Sequence, residues 1–244
     1  MLGRYRGYSL RDYESVPEFS AYPEFDGERL PRSQWKERID YLNSIGSQPV
    51  HFHKRFCKIK NQRSTSLCWC YGTISAIENA YAVSGVGSVD LNAYAVGYRG
   101  KGTDRRGGYG VECCNFVQQY GVPQESVLPE FTKTRRWGAE VQANADKHKL
   151  VTFNEVGRRD LDSVVSALLM SQCAVTVAFD WWRHLVVALG VAYKGSEWGL
   201  IVANSWGTKW GMGGESGGYG IIWGKKAIPF EAVAVQYVSA REEQ

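Results

Sequence analysis

The chain has 244 residues, a formal net charge of +4, and apolar, charged and aromatic fractions of 44%, 22% and 13%. That is a globular composition, long enough to bury one large core or two smaller ones. No apolar run reaches the roughly 18 residues needed to span a bilayer, and basic residues fall in short pairs such as Arg105-Arg106 and Arg135-Arg136, so neither membrane nor nucleic acid is an expected partner.

Residues 1–29 lack an apolar signal core and carry Tyr5, Tyr8, Tyr13, Phe19, Tyr22 and Phe25 with no helical period. They read as an extended arm with three alternative fates: lying across the protein's own site, docking on an assembly partner, or wrapping the surface without consequence. The globular part is expected to begin at Leu30-Pro31 and Trp35. Val50–Phe56 alternates and reads as a strand. Cys68–Val83 reads as a helix, with Ile74, Ile77 and Tyr81 on one face. Residues 99–110 read as a Gly-rich loop. Val111–Tyr120 reads as a second helix closed by Gly121 with Pro123 beyond, and Leu161–Met170 as a third. The period then changes. Ala174–Phe179, His184–Tyr193, Leu200–Asn204, Tyr219–Trp223 and Ala232–Val238 read as strands. Helices first and strands second predict an α+β protein, with a helical lobe over about 55–128, a β lobe over about 129–240, and a cleft between them.

The chemistry-bearing residues come in the order Gln62, Cys68, His184, Asn204. A thiol is a nucleophile only as thiolate, and a helix N-terminus and an imidazolium both lower its pKa. Cys68 opens a predicted helix, so the first condition is local. His184 opens an apolar strand, and Asn204 lies on a later strand that can sit beside it in one sheet and orient the imidazole. Trp206 is placed to shield that contact. Gln62, six residues before Cys68, offers an amide to an oxyanion together with the Cys68 backbone N–H. Taken singly each residue has a plainer reading: a buried core thiol, a rim histidine, a loop glutamine. His51, His53, Cys57, Cys68 and Cys70 can also be written as a metal cluster, but the Cys-x-Cys spacing is atypical and leaves Asn204–Gly211 unexplained. Gly100-x-Gly102 lacks the Gly-Lys-Ser/Thr of a phosphate loop.

Gln62, Cys68-Trp69, His184 and the octapeptide Asn204-Ser-Trp-Gly-Thr-Lys-Trp-Gly211 together resemble the papain-like cysteine proteases, over roughly residues 30–238. The resemblance implies a papain-like two-lobed fold, with an antiparallel, barrel-like β lobe. It implies a cysteine-type endopeptidase acting on polypeptides with no cofactor or metal, through a thiolate–imidazolium pair. Gly107-Gly108 sits where that family has a paired-glycine wall, and Trp69, Trp182, Leu185 and Trp206 are expected to line the cleft. Gly218-Tyr219-Gly220 matches the family's Gly-Tyr strand after an insertion. Two departures matter. Thr65 and Arg105 stand where a family disulfide has its two ends, which suggests a reducing compartment, cytoplasmic or particle-associated, and a bacterial or viral, phage-type member. The segment before His184, Asp180-Trp181-Trp182-Arg183, is shorter than is usual, and 29 residues are too few for the helical inhibitory pro-domain of many relatives. The alternative reading is a catalytically silent papain-like binding or assembly module.

Overall fold

The computed structural model describes residues 7–9 and 28–238. In chain order its elements are α1 (Arg32–Ser44), α2 (Pro49–Phe56), α3 (Cys68–Val83), α4 (Ala93–Lys101), α5 (Gly110–Tyr120), α6 (Ala139–Asp146), β1 (Leu150–Val156), α7 (Leu161–Leu169), β2 (Val175–Phe179), β3 (His184–Lys194), β4 (Glu197–Ala203), β5 (Tyr219–Trp223) and β6 (Glu231–Val238). The architecture is α+β, as the change of period predicts.

The six strands form one antiparallel sheet in the order β1-β6-β2-β3-β4-β5. β3 is its centre and explains its own sequence. Strand side chains alternate between faces, and here both faces are covered. Leu185, Val187 and Leu189 enter the core built with α3 and α5. Val186 and Ala188 enter a second core with α1 and α7, which contribute Trp35, Ile39, Leu42, Val164, Val165 and Leu168. The unbroken run from Leu185 to Leu189 is therefore two alternating sets read together.

α3 is buried almost all round, from Cys68 through Asn79 without interruption. An apolar helix of that kind belongs in a core rather than at a surface. It approaches β3 closely at Gly72, where a Cβ would collide with Leu185 Cδ2. That approach brings the start of α3 to the start of β3.

Residues 50–56 correct the sequence reading. They form α2, not a strand. Pro49 occupies the first helical position, where its missing N–H costs nothing, and Val50 and His53, three apart, share the buried face. His53 offsets its burial through Nδ1, 2.9 Å from Tyr219 Oη. The expected loop at 99–110 begins as the last turn of α4, capped at its start by Asn92 Oδ1 accepting from the Ala95 N–H at 2.9 Å. The sequence reading contains no counterpart of α1, α4, α6 or β1.

Candidate active site

The site is assembled where the ends of three elements meet. Cys68 is the first residue of α3 and is fully buried. Backbone N–H groups of Leu185, Gly7, Trp69 and Cys68 itself are directed at its sulfur. They favour the thiolate, but burial outweighs them and pushes the thiol up to about 11.

His184 opens β3, paired across the strands with Phe179. Asn204 lies one residue beyond β4, and β4 is the strand hydrogen-bonded to β3. Neighbouring strands thus bring the two side chains together: His184 Nε2 is 2.8 Å from Asn204 Oδ1. An amide oxygen only accepts, so this contact puts the imidazole proton on Nε2 and leaves Nδ1 as a lone-pair acceptor. Nδ1 is buried and has no hydrogen-bond partner among the described residues. Burial drives the imidazole down to about 4, against the opposing pull of Asn204. Aromatic rings enclose it. Trp206 covers one side at 4.6 Å between centroids, and Trp182 meets it edge-on at 4.9 Å.

Gln62 belongs to the same knot. Its backbone N–H donates to Ser205 O at 2.8 Å, its Oε1 accepts from Ser205 Oγ at 2.6 Å, and its Nε2 donates to Thr65 O at 2.9 Å. The Gly207 N–H donates to Lys60 O at 3.1 Å, and Asn61 bridges Trp206. The segment before Cys68 is therefore stitched to the octapeptide after Asn204. The amide of Gln62 is fixed in one orientation, with one Nε2 hydrogen not used by Thr65. Ser205 carries this link and was not singled out in the sequence, although it lies inside the octapeptide.

Gly107 and Gly108 form a wall against which residues 7–9 lie. The Gly108 N–H donates to Gly7 O at 3.1 Å, and Tyr8 makes a parallel bridge to Gly108. A Cβ at Gly108 would stand 2.7 Å from the Trp69 ring, and one at Gly107 would strike Gly7 O. Glycine is needed here for close backbone approach rather than for its dihedral freedom. Tyr8 is buried against Tyr109, edge to face at 6.4 Å, and its hydroxyl donates to Glu231 Oε2 at 3.0 Å. Glu231 begins β6 opposite Ala178. Sequence reasoning missed it; the only signal is an acidic residue opening an apolar strand. The other arm aromatics, Tyr5, Tyr13, Phe19, Tyr22 and Phe25, lie outside the described residues.

Of the other expected cleft residues, Trp69 is buried beneath Gly108. Leu185 is buried as well, presenting its backbone to Cys68 and its side chain to Gly72. Trp182 is only 2% exposed and is stacked between Trp181 and Trp210. Trp181, at 41%, is the exposed member of that pair. All six cysteines are free thiols, and no group of three metal-ligating side chains comes together among the described residues.

Comparison with known proteins bears on the fold that holds this site. No family model matches the chain. It is 24% identical to a cysteine protease of the mite Blomia tropicalis, over 88% of this chain and 74% of that protein. It is 26% identical to cysteine proteinase 1 of Entamoeba histolytica, over 76% of this chain and 68% of that protein. Among solved structures, a recombinant stem bromelain precursor superposes with a TM-score of 0.63 at 19% identity, covering 97% of this chain and 84% of its own. These relatives are eukaryotic, and another is a viral cathepsin from a nuclear polyhedrosis virus of Lymantria dispar. The expectation of a bacterial or phage-type origin finds no support in them. No helix among the described residues is long and apolar enough to cross a membrane. The chain thus has a papain-like fold, and its relatives support a cysteine peptidase activity.

Proposed function

We propose that the protein is an endopeptidase in which Cys68, His184, Asn204 and Gln62 carry the reaction. His184 Nδ1 takes the Cys68 proton and the sulfur adds to the peptide carbonyl carbon. The tetrahedral oxygen then accepts from the Cys68 N–H and from the spare hydrogen of Gln62 Nε2. On collapse the C–N bond breaks, and the proton on Nδ1 goes to the leaving amine. Water, deprotonated by His184, next attacks the thioester, and the acid leaves with the thiol restored. Asn204 acts on His184, holding the tautomer that leaves Nδ1 free to receive the proton.

The observation that carries this reading is the His184 Nε2–Asn204 Oδ1 contact, with Nδ1 buried and unbonded, and the next residue, Leu185, turning its N–H to the Cys68 sulfur. A silent binding module has no use for a buried base held in that tautomer. The segment at residues 7–9 supports one of the three fates of the arm, a cover over the site: Gly7 lies on the sulfur and Tyr8 fills a side-chain pocket. Thr65 and Arg105, at the two positions of the family disulfide, favour a reducing location, cytoplasmic or particle-associated. The decisive test is Cys68→Ala. Hydrolysis of a peptide library should fall by several orders of magnitude with the fold intact. Retention of more than about a tenth of the activity would remove Cys68 as nucleophile.

A further inference from the structure

The two arginine pairs that stand apart in the sequence share one surface in the fold. Residues 99–106 and 131–137 carry seven basic side chains and one acid, Asp104, a formal +6 where the whole chain has +4. The rest of the molecule is therefore acidic on balance, and positive potential is concentrated here. A Cβ at Gly102 would stand 3.4 Å from Arg135 Cδ. Phe131 packs on Tyr94 at 5.1 Å between centroids, and Tyr94 Oη donates to Asp104 Oδ2 at 3.1 Å. Arg99 Cζ lies 4.2 Å from the centre of the Trp137 ring. Arg63, from the segment before Cys68, joins them by stacking on Phe131 at 4.1 Å. Arg63, Arg105, Arg106, Lys133, Arg135 and Arg136 are all exposed. The acids nearby are engaged: Asp104 lies 3.6 Å from Arg105, Glu112 pairs with Lys101, and Glu130 accepts from Tyr71 Oη at 2.6 Å. Among the described residues, the other five exposed cations make no ion pair.

Residues 7–9 show where this surface lies relative to the cleft. Gly7 is at the Cys68 sulfur, Tyr8 bridges to Gly108, and Ser9 Oγ lies 2.8 Å from where a Cβ on Gly107 would stand. A segment seated in this way passes the sulfur, then Gly108, then Gly107, and Arg106 and Arg105 come next. We infer that the surface of Arg63, Arg105, Arg106, Lys133, Arg135 and Arg136 extends the substrate cleft and recognises an acidic stretch of the polypeptide, beyond the residue that faces Gly108 and away from the scissile bond. This rests on the peptidase reading, which supplies the substrate. The surface continues the wall against which a peptide backbone lies, which favours more of the same polypeptide over a nucleic acid. The chain carries a chemical match of its own: residues 10–27, which follow Ser9 in sequence, have Asp12, Glu14, Glu18, Glu24 and Asp26 against Arg11.

The test uses the full chain with Tyr8→Ala and with those five acids changed to Asn or Gln, so that the arm brings no competing charge. Matched peptides carry a Glu pair or a Gln pair three and four residues from the scissile bond, on one side of it or the other, and are compared in kcat/KM. The same peptides are compared in Kd on the chain that also carries Cys68→Ala. Exposed ion pairs are individually weak and are screened by salt. The expected Glu:Gln ratio is therefore about fivefold or more at about 20 mM salt and about one at about 0.5 M, carried by KM rather than kcat. Arg105→Gln with Arg106→Gln should at least halve it, and adding Arg135→Gln with Arg136→Gln should bring it to about one. Lys194→Glu with Lys225→Glu makes the same change in net charge at exposed positions near the far end of β3, and should leave the ratio unchanged. A ratio below about twofold at low salt on both sides overturns the inference, as does one that survives all four arginine changes or falls equally in the lysine control. Tighter binding of a single-stranded oligonucleotide than of the Glu peptide would assign the surface to nucleic acid and also overturn it. If no peptide is cut, the peptidase reading fails while the Kd ratio still decides the role of the surface.

Discussion

Gly7→Ala is the sharpest probe of how the site is covered. A Cβ on residue 7 would be driven into the carbonyl of Ser66, meeting its oxygen, carbon and Cα well inside the 3.0 Å that real Cβ contacts respect. Both partners are backbone, so no rotamer change relieves the clash and the arm has to move. A shift of about 1 Å lengthens the 3.1 Å Gly108 N–H to Gly7 O bond beyond useful range. The described contacts are finely balanced. Burying the Tyr8 ring contributes about 1.5–3 kcal/mol, and the three hydrogen bonds, Gly108 N–H to Gly7 O, Tyr8 hydroxyl to Glu231 and Gly7 N–H to the Cys68 sulfur, contribute about 0.5–1.5 kcal/mol each. Ordering three residues costs roughly 3–6 kcal/mol. Losing one bond and adding a clash should therefore lift residues 7–9 off the sulfur. In the covered state burial holds the thiol up near about 11 and the imidazole down near about 4, so the neutral pair dominates between those limits. Water reaching the site removes that penalty, and the helix N-terminus and imidazolium then favour thiolate. The assay is iodoacetamide labelling of Cys68 at pH 6, beside peptide turnover. Labelling in Gly7→Ala should be at least about tenfold faster than in the parent, a difference of about 1.4 kcal/mol. The parent rate should climb only towards alkaline pH. Gly138→Ala, at a glycine where an added Cβ meets nothing within 4 Å, is the control. Equal labelling of Gly7→Ala and parent, both folded, would refute the covered-site argument.

Further outcomes follow from the same geometry. Asn204→Ala should lower kcat by about tenfold or more with little change in KM, because Asn204 acts through His184; Trp206→Ala should do the same more weakly, and a purely KM effect would put Asn204 on the substrate. His184 and His53 are both buried, and burial lowers them to about 4 and about 3. The unfolded chain, near 6.5, thus binds more protons than the folded one as pH falls from about 6.5 towards 4. Stability should be fully present above about 6.5 and be lost below it, by up to about 1.4 kcal/mol per pH unit for each histidine, which urea denaturation at stepped pH would show. Lys60 is buried with Nζ 2.9 Å from Glu78, 3.2 Å from both Asp90 and Glu125, and 2.8 Å from Leu91 O. Asp90 also pairs with Lys58, but Lys60→Met leaves the buried Glu78 without its cation and should cost about 3–5 kcal/mol in urea denaturation, with a loss below about 1 kcal/mol showing that the cluster is relieved by water or protonation.

Much of the candidate site is legible in the sequence because its parts are local. Cys68 opens a helix whose apolar character is continuous, Gln62 is tied to it by a fixed short spacing, and Asn204 is embedded in an octapeptide whose Trp206 covers the histidine. The strands from 175 onward are equally plain, since side chains covered on both faces leave an uninterrupted apolar run. The short window 50–56 misled because alternating His and apolar residues satisfy a period of two, while the helix there is decided by Pro49 and by Tyr219, which lies 166 residues from His53 and bonds to it. Tertiary structure alone decided the adjacency of β3 and β4 that joins His184 to Asn204, and the close approach at Gly72 that brings α3 to them. It alone set Tyr8 on Glu231, 223 residues away. Spacing along a chain encodes helix faces and strand alternation; it does not encode which strand edge a distant segment meets, because that is settled by packing and by the hydrogen bonds left over once the local elements have formed.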